Sequence, residues 1–166
     1  ANIECSRFSG WESLRHIRIP DGVTNVGSYA FSGCKSLKSV KIPNNVKAIR
    51  CASFSGCSLF TSVEIPDSVT RIGVSVFSGC NSLTNIVLSK NITNISASAF
   101  YGCNSLAYVD IPRDVSIIGN SAFAYCSSIS SVVIPSSVTS IGSYAFSSCN
   151  SLDSIVVESI TPPTLG

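Results

Sequence analysis

The sequence predicts an α/β solenoid, a single domain over residues 1–166 in which about seven similar coils stack on one another. Cysteine recurs every 23 residues, at Cys34, Cys57, Cys80, Cys103, Cys126 and Cys149. Phenylalanine keeps the same period three residues before each of these cysteines. A unit of this length, with its apolar residues spread along it, cannot bury them alone and must stack on copies of itself.

The phenylalanines predict a buried aromatic column that runs through the coils. Seven of the eight belong to it, namely Phe8, Phe31, Phe54, Phe77, Phe100, Phe123 and Phe146. The exception, Phe60, takes a leucine position in its own unit. Glycine usually stands four residues before a column phenylalanine, and the short segment between them fits a 3₁₀-helix or a single helical turn. We therefore expect short helical turns on the convex side of the solenoid.

The segment after each cysteine predicts a short parallel strand. Counted from the cysteine, apolar residues recur at positions 3, 6 and 8, as in Leu37, Val40 and Ile42, and further apolar residues stand at positions 12 and 15. Proline usually follows at position 9 and ends the strand, because it cannot donate to a sheet ladder. These strands are expected to lie side by side on the concave face, about 4.8 Å apart.

The eight cysteines do not predict a metal site or a disulfide framework. The close cysteine pairs that zinc sites use are absent, and stacked identical positions lack the converging geometry of a disulfide. The six periodic cysteines are expected to be buried, reduced thiols that fill small apolar spaces. Cys5 and Cys51 share a different, more tolerant position two coils apart, too far for a bridge, and are the more reactive candidates.

Catalytic chemistry is not predicted. His16 is the single histidine and has no cysteine or second histidine near it in sequence, and the glycines occur singly rather than in a phosphate-binding loop. We therefore expect no enzyme activity, no cofactor and no metal. The net charge of +2 and the lack of interleaved aromatic residues disfavour nucleic acid, and no apolar run reaches the roughly 18 residues needed to span a membrane.

The candidate binding residues lie at positions 4, 5 and 7, which alternate with inward residues and face away from the core. The charge on this expected concave face is polarised, because residues 1–50 carry a net +5 and the remainder −3. Such a face suits an extended protein ligand with an acidic segment at the basic end. The candidate residues are Arg15, His16, Arg18, Lys38, Lys41, Glu64, Tyr108 and Asp110.

The repeating unit C-x-x-L-x-x-V-x-I-P-x-x-V-x-x-I-G-x-x-A-F-x-x resembles the leucine-rich repeat of the BspA-like, or Treponema pallidum, type over nearly the whole chain. The resemblance implies a secreted or cell-surface protein, and some members of that family are similar to adhesins for host matrix proteins. We therefore expect an adhesin-like binding module whose concave face recognises a protein, such as a host matrix or surface protein, or a glycan. The alternative is a structural spacer or scaffold without a ligand of its own.

The first and last units are incomplete and neither has the polar outer face of a capping repeat. We expect the chain to be part of a longer array, whose further repeats would cover the terminal coils. The alternative is end-to-end self-association of the chain, which would cover the same surfaces.

Overall fold

The computed structural model describes residues 1–166 and is a solenoid of stacked coils, each 23 residues long, built from short parallel strands. All strand pairs join one coil to the next. In chain order, strands β1 to β12 are Asn2–Ile3, Asn25–Val26, Ala48–Ile49, Ser62–Glu64, Arg71–Ile72, Asn85–Val87, Asn94–Ile95, Ile117–Ile118, Ser131–Ile134, Ser140–Ile141, Ser154–Val157 and Thr164–Leu165.

The strands form two parallel ladders, separated in each coil by the turn that begins at the proline position. The first ladder uses positions 5 to 8 and confirms the predicted strand: β4 pairs with β6, and β9 pairs with β11. Two isolated bridges, Arg18 with Lys41 and Ser39 with Ser62, extend it towards the N-terminus. The second ladder uses positions 14 and 15, shifted by one residue in β12, and runs β1-β2-β3-β5 and then β7-β8-β10-β12.

The predicted helical return is not found. The structure contains neither an α-helix nor a 3₁₀-helix, so the helical half of the predicted α/β class is not confirmed and the fold is a parallel-strand β-solenoid. The segment between the second ladder and the next cysteine is a series of turns. Its backbone enters the left-handed region twice, for example at Tyr29 (φ 58°) and Gly33 (φ 71°). Two such residues four apart interrupt the consecutive right-handed conformations that a helix requires.

The aromatic column is confirmed. Consecutive column rings are nearly parallel, with centroids 5.2 to 5.7 Å apart. The wider spacings flank Phe77, where Phe60 enters the core and lies 6.2 Å from that ring. Phe60 is fully buried, as its leucine position predicts, and the column forms the centre of one core of 43 buried residues.

The periodic cysteines form a second column, and all eight cysteines of the chain are free thiols. Each buried Sγ donates a hydrogen bond to the carbonyl oxygen of the phenylalanine 26 residues earlier, as in Cys80 to Phe54 at 3.2 Å. Burial raises the pKa of Cys57 and Cys126 to about 12. The thiols are therefore protonated donors that tie successive coils together, a role that the sequence did not predict.

Candidate functional site

The predicted binding surface is the outward side of the first ladder, formed by positions 4, 5 and 7 of each coil; we call it the first-ladder face. All eight predicted residues lie on it and are exposed. The residues at position 7 form a column across the coils. Arg18 pairs with Lys41 through a parallel β-bridge of the backbone, and Glu64 takes the same position in the next coil. Because adjacent strands lie about 4.8 Å apart, this column places two cations and one carboxylate along a short line.

A groove of about 600 Å³ lies on this face across three neighbouring coils. Lys41 and Glu64 line it, together with the polar side chains Ser39, Ser62 and Asn85. Of the eight predicted residues, only Lys41 and Glu64 line this groove. The three polar residues were on the predicted face but were not chosen as candidates. Their only sequence signal is that they share position 5, directly before an inward residue.

The charged groups of the groove form no ion pair within the protein. The one ion pair of the structure joins Lys35 to Glu12 at 2.7 Å, and both residues lie at position 1 rather than on this face. The side chains of Arg15, Arg18 and Lys38 lie outside the groove, beside its basic end. An approaching acidic group would meet unpaired cations at this end of the first-ladder face.

The predicted binding residues Tyr108 and Asp110 lie apart from the groove. Tyr108 is 58% exposed and Asp110 is also exposed, but the first ladder has no strand between β6 and β9, where both residues lie. Beyond this gap, position 7 is occupied by the exposed apolar residues Val133 and Val156. The structure therefore divides the predicted site into a charged groove and a separate, mainly apolar region.

Other groups that could perform chemistry are not brought together. No three His, Cys, Asp or Glu side chains form a group that could hold a metal ion. His16 is exposed at the N-terminal end of the first-ladder face, and Cys5 and Cys51 are exposed free thiols. No helix in the structure has the length and apolar character required to cross a membrane.

The sequence matches the model of a family described as the BspA type leucine rich repeat region, with six copies that cover residues 1–130 and 47–162. No curated protein sequence matches the chain.

Several solved structures have the same fold. A leucine rich cell surface protein from Faecalibacterium prausnitzii A2-165 is 34% identical with a TM-score of 0.75, and the match covers 93% of this chain and 50% of that one. A leucine-rich repeat protein from Bacteroides ovatus is 30% identical with a TM-score of 0.86, over 92% of this chain and 40% of that one. The T. pallidum leucine rich repeat protein is 28% identical with a TM-score of 0.64, and the match covers 72% of this chain and 70% of that one. The chain thus spans half or less of the first two proteins.

Proposed function

The chain belongs to the BspA-type leucine-rich repeat family, and from this premise we propose that it is an extracellular or cell-surface binding module, adhesin-like, without enzyme activity. Its ligand is a protein, such as a host matrix or surface protein, held by the first-ladder face. The similar protein from Faecalibacterium prausnitzii is a cell surface protein, which supports this location.

The observation that carries the proposal is the groove lined by Lys41 and Glu64, with unpaired cations at one end. Opposite charges beside a row of serine and asparagine side chains can bind a protein segment through hydrogen bonds and complementary charge. The backbone of the ladder loses little conformational freedom when a ligand binds, because the core beneath it already holds it in place. An extended acidic segment of a ligand would lie across the coils and contact Arg18 and Lys41 together.

The test is a binding series by biolayer interferometry against immobilised extracellular matrix proteins. The variant carries Arg18→Glu and Lys41→Glu. Because each reversal replaces an attraction with a repulsion, we expect the affinity for any bound protein to fall roughly tenfold or more. The matched control carries Lys90→Glu and Arg113→Glu, which make the same charge change in exposed turns outside the groove.

The outcomes separate this proposal from its alternative, a spacer that only projects or links other domains. Binding that is lost in the first variant and retained in the control supports the first-ladder face. Equal losses in both variants would mean that only the overall charge matters. A wild-type chain that binds none of the proteins, and whose melting temperature none of them shifts, would favour the spacer.

A further inference from the structure

A second groove lies on the other ladder, at positions that the proposed function does not use. It has a volume of about 390 Å³ and crosses β2, β3, β5 and β7. We call it the second-ladder groove. Arg50 and Arg71 line it, with the polar residues Asn25, Ser28, Thr70, Thr93, Asn94 and Ser96 and the exposed thiol of Cys51.

Small residues next to the arginines create the space. Position 14 carries Ala48 between the larger side chains of Asn25 and Arg71, and these three residues pair directly across the ladder. At position 16, Arg50 stands between Gly27 and Gly73 in the neighbouring coils. A Cβ atom at Gly73 would lie 2.3 Å from the backbone nitrogen of Cys51, so the close approach of the two coils requires glycine there. The guanidinium groups therefore border an open, shallow floor.

The groove has a positive charge without a counter-charge. No carboxylate lines it, and neither arginine belongs to the one ion pair of the structure. The only acidic residue at position 16 of this ladder, Glu4, is two coils from Arg50. Arg71 pairs with Ala48, two residues before Arg50, so strand geometry places the Cα atoms of the two arginines about 8 Å apart. Two long arginine side chains whose Cα atoms are this far apart can reach one anionic group from both sides, or two successive anionic groups.

The remaining lining favours a carbohydrate over a peptide. Strand β3, at the centre of the groove, is paired on both edges, with β2 and with β5, so it offers no free edge to the main chain of a peptide. Ile49 and Ile72 are buried in the core, which leaves no apolar pocket for a peptide side chain. Amide and hydroxyl groups line the rest of the groove and suit the hydroxyl groups of sugars.

We propose that the second-ladder groove binds an acidic polysaccharide, with Arg50 and Arg71 contacting its sulfate or carboxylate groups. This groove is separate from the first-ladder face, so an experiment that rejects one of the two proposed binding sites does not contradict the other.

The experiment measures binding of a heparin-derived hexasaccharide to the full chain by isothermal titration calorimetry. The Arg50→Gln and Arg71→Gln double variant is expected to bind about tenfold more weakly or worse, since it loses both charge-assisted contacts. The control is Lys90→Gln with Arg113→Gln, which removes the same charge from exposed turns outside both grooves and should bind within about twofold of the wild type. Neutral maltohexaose should not bind, and a hexaglutamate peptide should compete poorly.

Equal weakening by both double variants would overturn the proposal, because only net charge would then matter. Maltohexaose binding as tightly as the heparin fragment would also overturn it, and strong competition by hexaglutamate would assign the groove to an acidic peptide instead.

Cys51 supplies a test in the wild-type chain that does not depend on any variant. The heparin-derived hexasaccharide, at a concentration that saturates the groove, should slow the reaction of Cys51 with a maleimide severalfold. The thiol of Cys51 lines the groove and would be covered by the bound ligand. Cys5 is an exposed thiol at the same position of the repeat, outside the groove, and its rate should not change. Unchanged labelling of Cys51 at saturation, or equal slowing of both thiols, would place the ligand elsewhere.

Discussion

Replacement of Phe77 by alanine should destabilise the protein more than the same change at either end of the aromatic column. Phe77 is fully buried and stacks between Phe54 at 5.6 Å and Phe100 at 5.7 Å, with Phe60 also in contact. A buried phenylalanine removes about 150–250 Å² from water, worth about 4–6 kcal/mol at about 25 cal/mol per Å². Alanine keeps part of this area but leaves a cavity, so the expected loss is about 3–5 kcal/mol.

The assay is equilibrium unfolding in guanidinium chloride, followed by circular dichroism. With an m-value of about 4 kcal/mol/M, the midpoint should fall by about 1 M. The matched control is Phe146→Ala in the last complete coil, where the ring is half-buried and stacks on one neighbour, Phe123. Its expected cost is about 1–2 kcal/mol. Equal midpoint shifts for the two variants would refute the reasoning, since the cost would then be independent of the neighbouring coils.

Three further changes test other parts of the fold by the same assay. Phe60→Leu should cost less than about 1.5 kcal/mol, because leucine is the usual residue at that position, and a larger loss would mean that the ring itself is required. Gly73→Ala should cost about 1–3 kcal/mol, because its Cβ would contact the backbone of the preceding coil. Gly22→Ala is the control and should be nearly neutral, because the space around Gly22 is open. Similar losses of stability in the two variants would contradict the close approach of the two coils at Gly73. The thiols of the unfolded chain have a pKa near 8.5, whereas burial raises the pKa of Cys57 and Cys126 in the folded protein to about 12. Above about pH 9 the unfolded state therefore binds fewer protons than the folded state, and a rise in pH favours unfolding. Stability should therefore be constant below about pH 8 and then fall by about 1.4 kcal/mol per pH unit for each buried thiol, while a flat profile up to pH 11 would show that the thiols are not buried.

The period of the repeat, the aromatic column and the first ladder could be predicted from the sequence, because each depends on which residues are apolar and how far apart they stand. Phe60 illustrates this: its spacing from Cys57 placed it in a leucine position, and the structure buries it there. The second ladder could not be predicted in the same way. Its strands are two residues long, too short for an alternating pattern, and Ile49 or Ile72 alone does not distinguish a strand from a helical turn.

The turns were mispredicted because the sequence does not mark their unusual backbone. Glycine signals the left-handed conformation at Gly33 and Gly56, but Tyr29, Ala52 and Ser75 adopt it as well, and nothing in these residue types indicates a positive φ. The neighbouring coil holds them there: the amide of Tyr29, for example, donates to the carbonyl oxygen of Cys51 at 2.9 Å. The tertiary structure thus decides the local conformation.

The grooves depend on combinations of residues across coils. The sequence predicted Lys41 and Glu64 as binding residues, but not that they share a cavity with Asn85. The second-ladder groove needs the juxtaposition of Arg50, directly after β3, and Arg71 in β5, next to strands that the sequence did not predict. Arg50 belongs to the basic N-terminal portion of the chain, but Arg71 lies in the portion with a net negative charge, so the charge pattern did not indicate the groove.

Amide hydrogen exchange tests most directly whether each coil is stable only because its neighbours are present. The N–H of Phe77 donates to the carbonyl oxygen of Ala99 in the next coil at 2.9 Å, and those of Phe54 and Phe100 make the equivalent bonds. The N–H of Phe146 donates to no backbone carbonyl. We predict that the three central amides are among the slowest to exchange and that Phe146 exchanges much faster. Similar rates for Phe77 and Phe146 would contradict the stacking of mutually dependent coils.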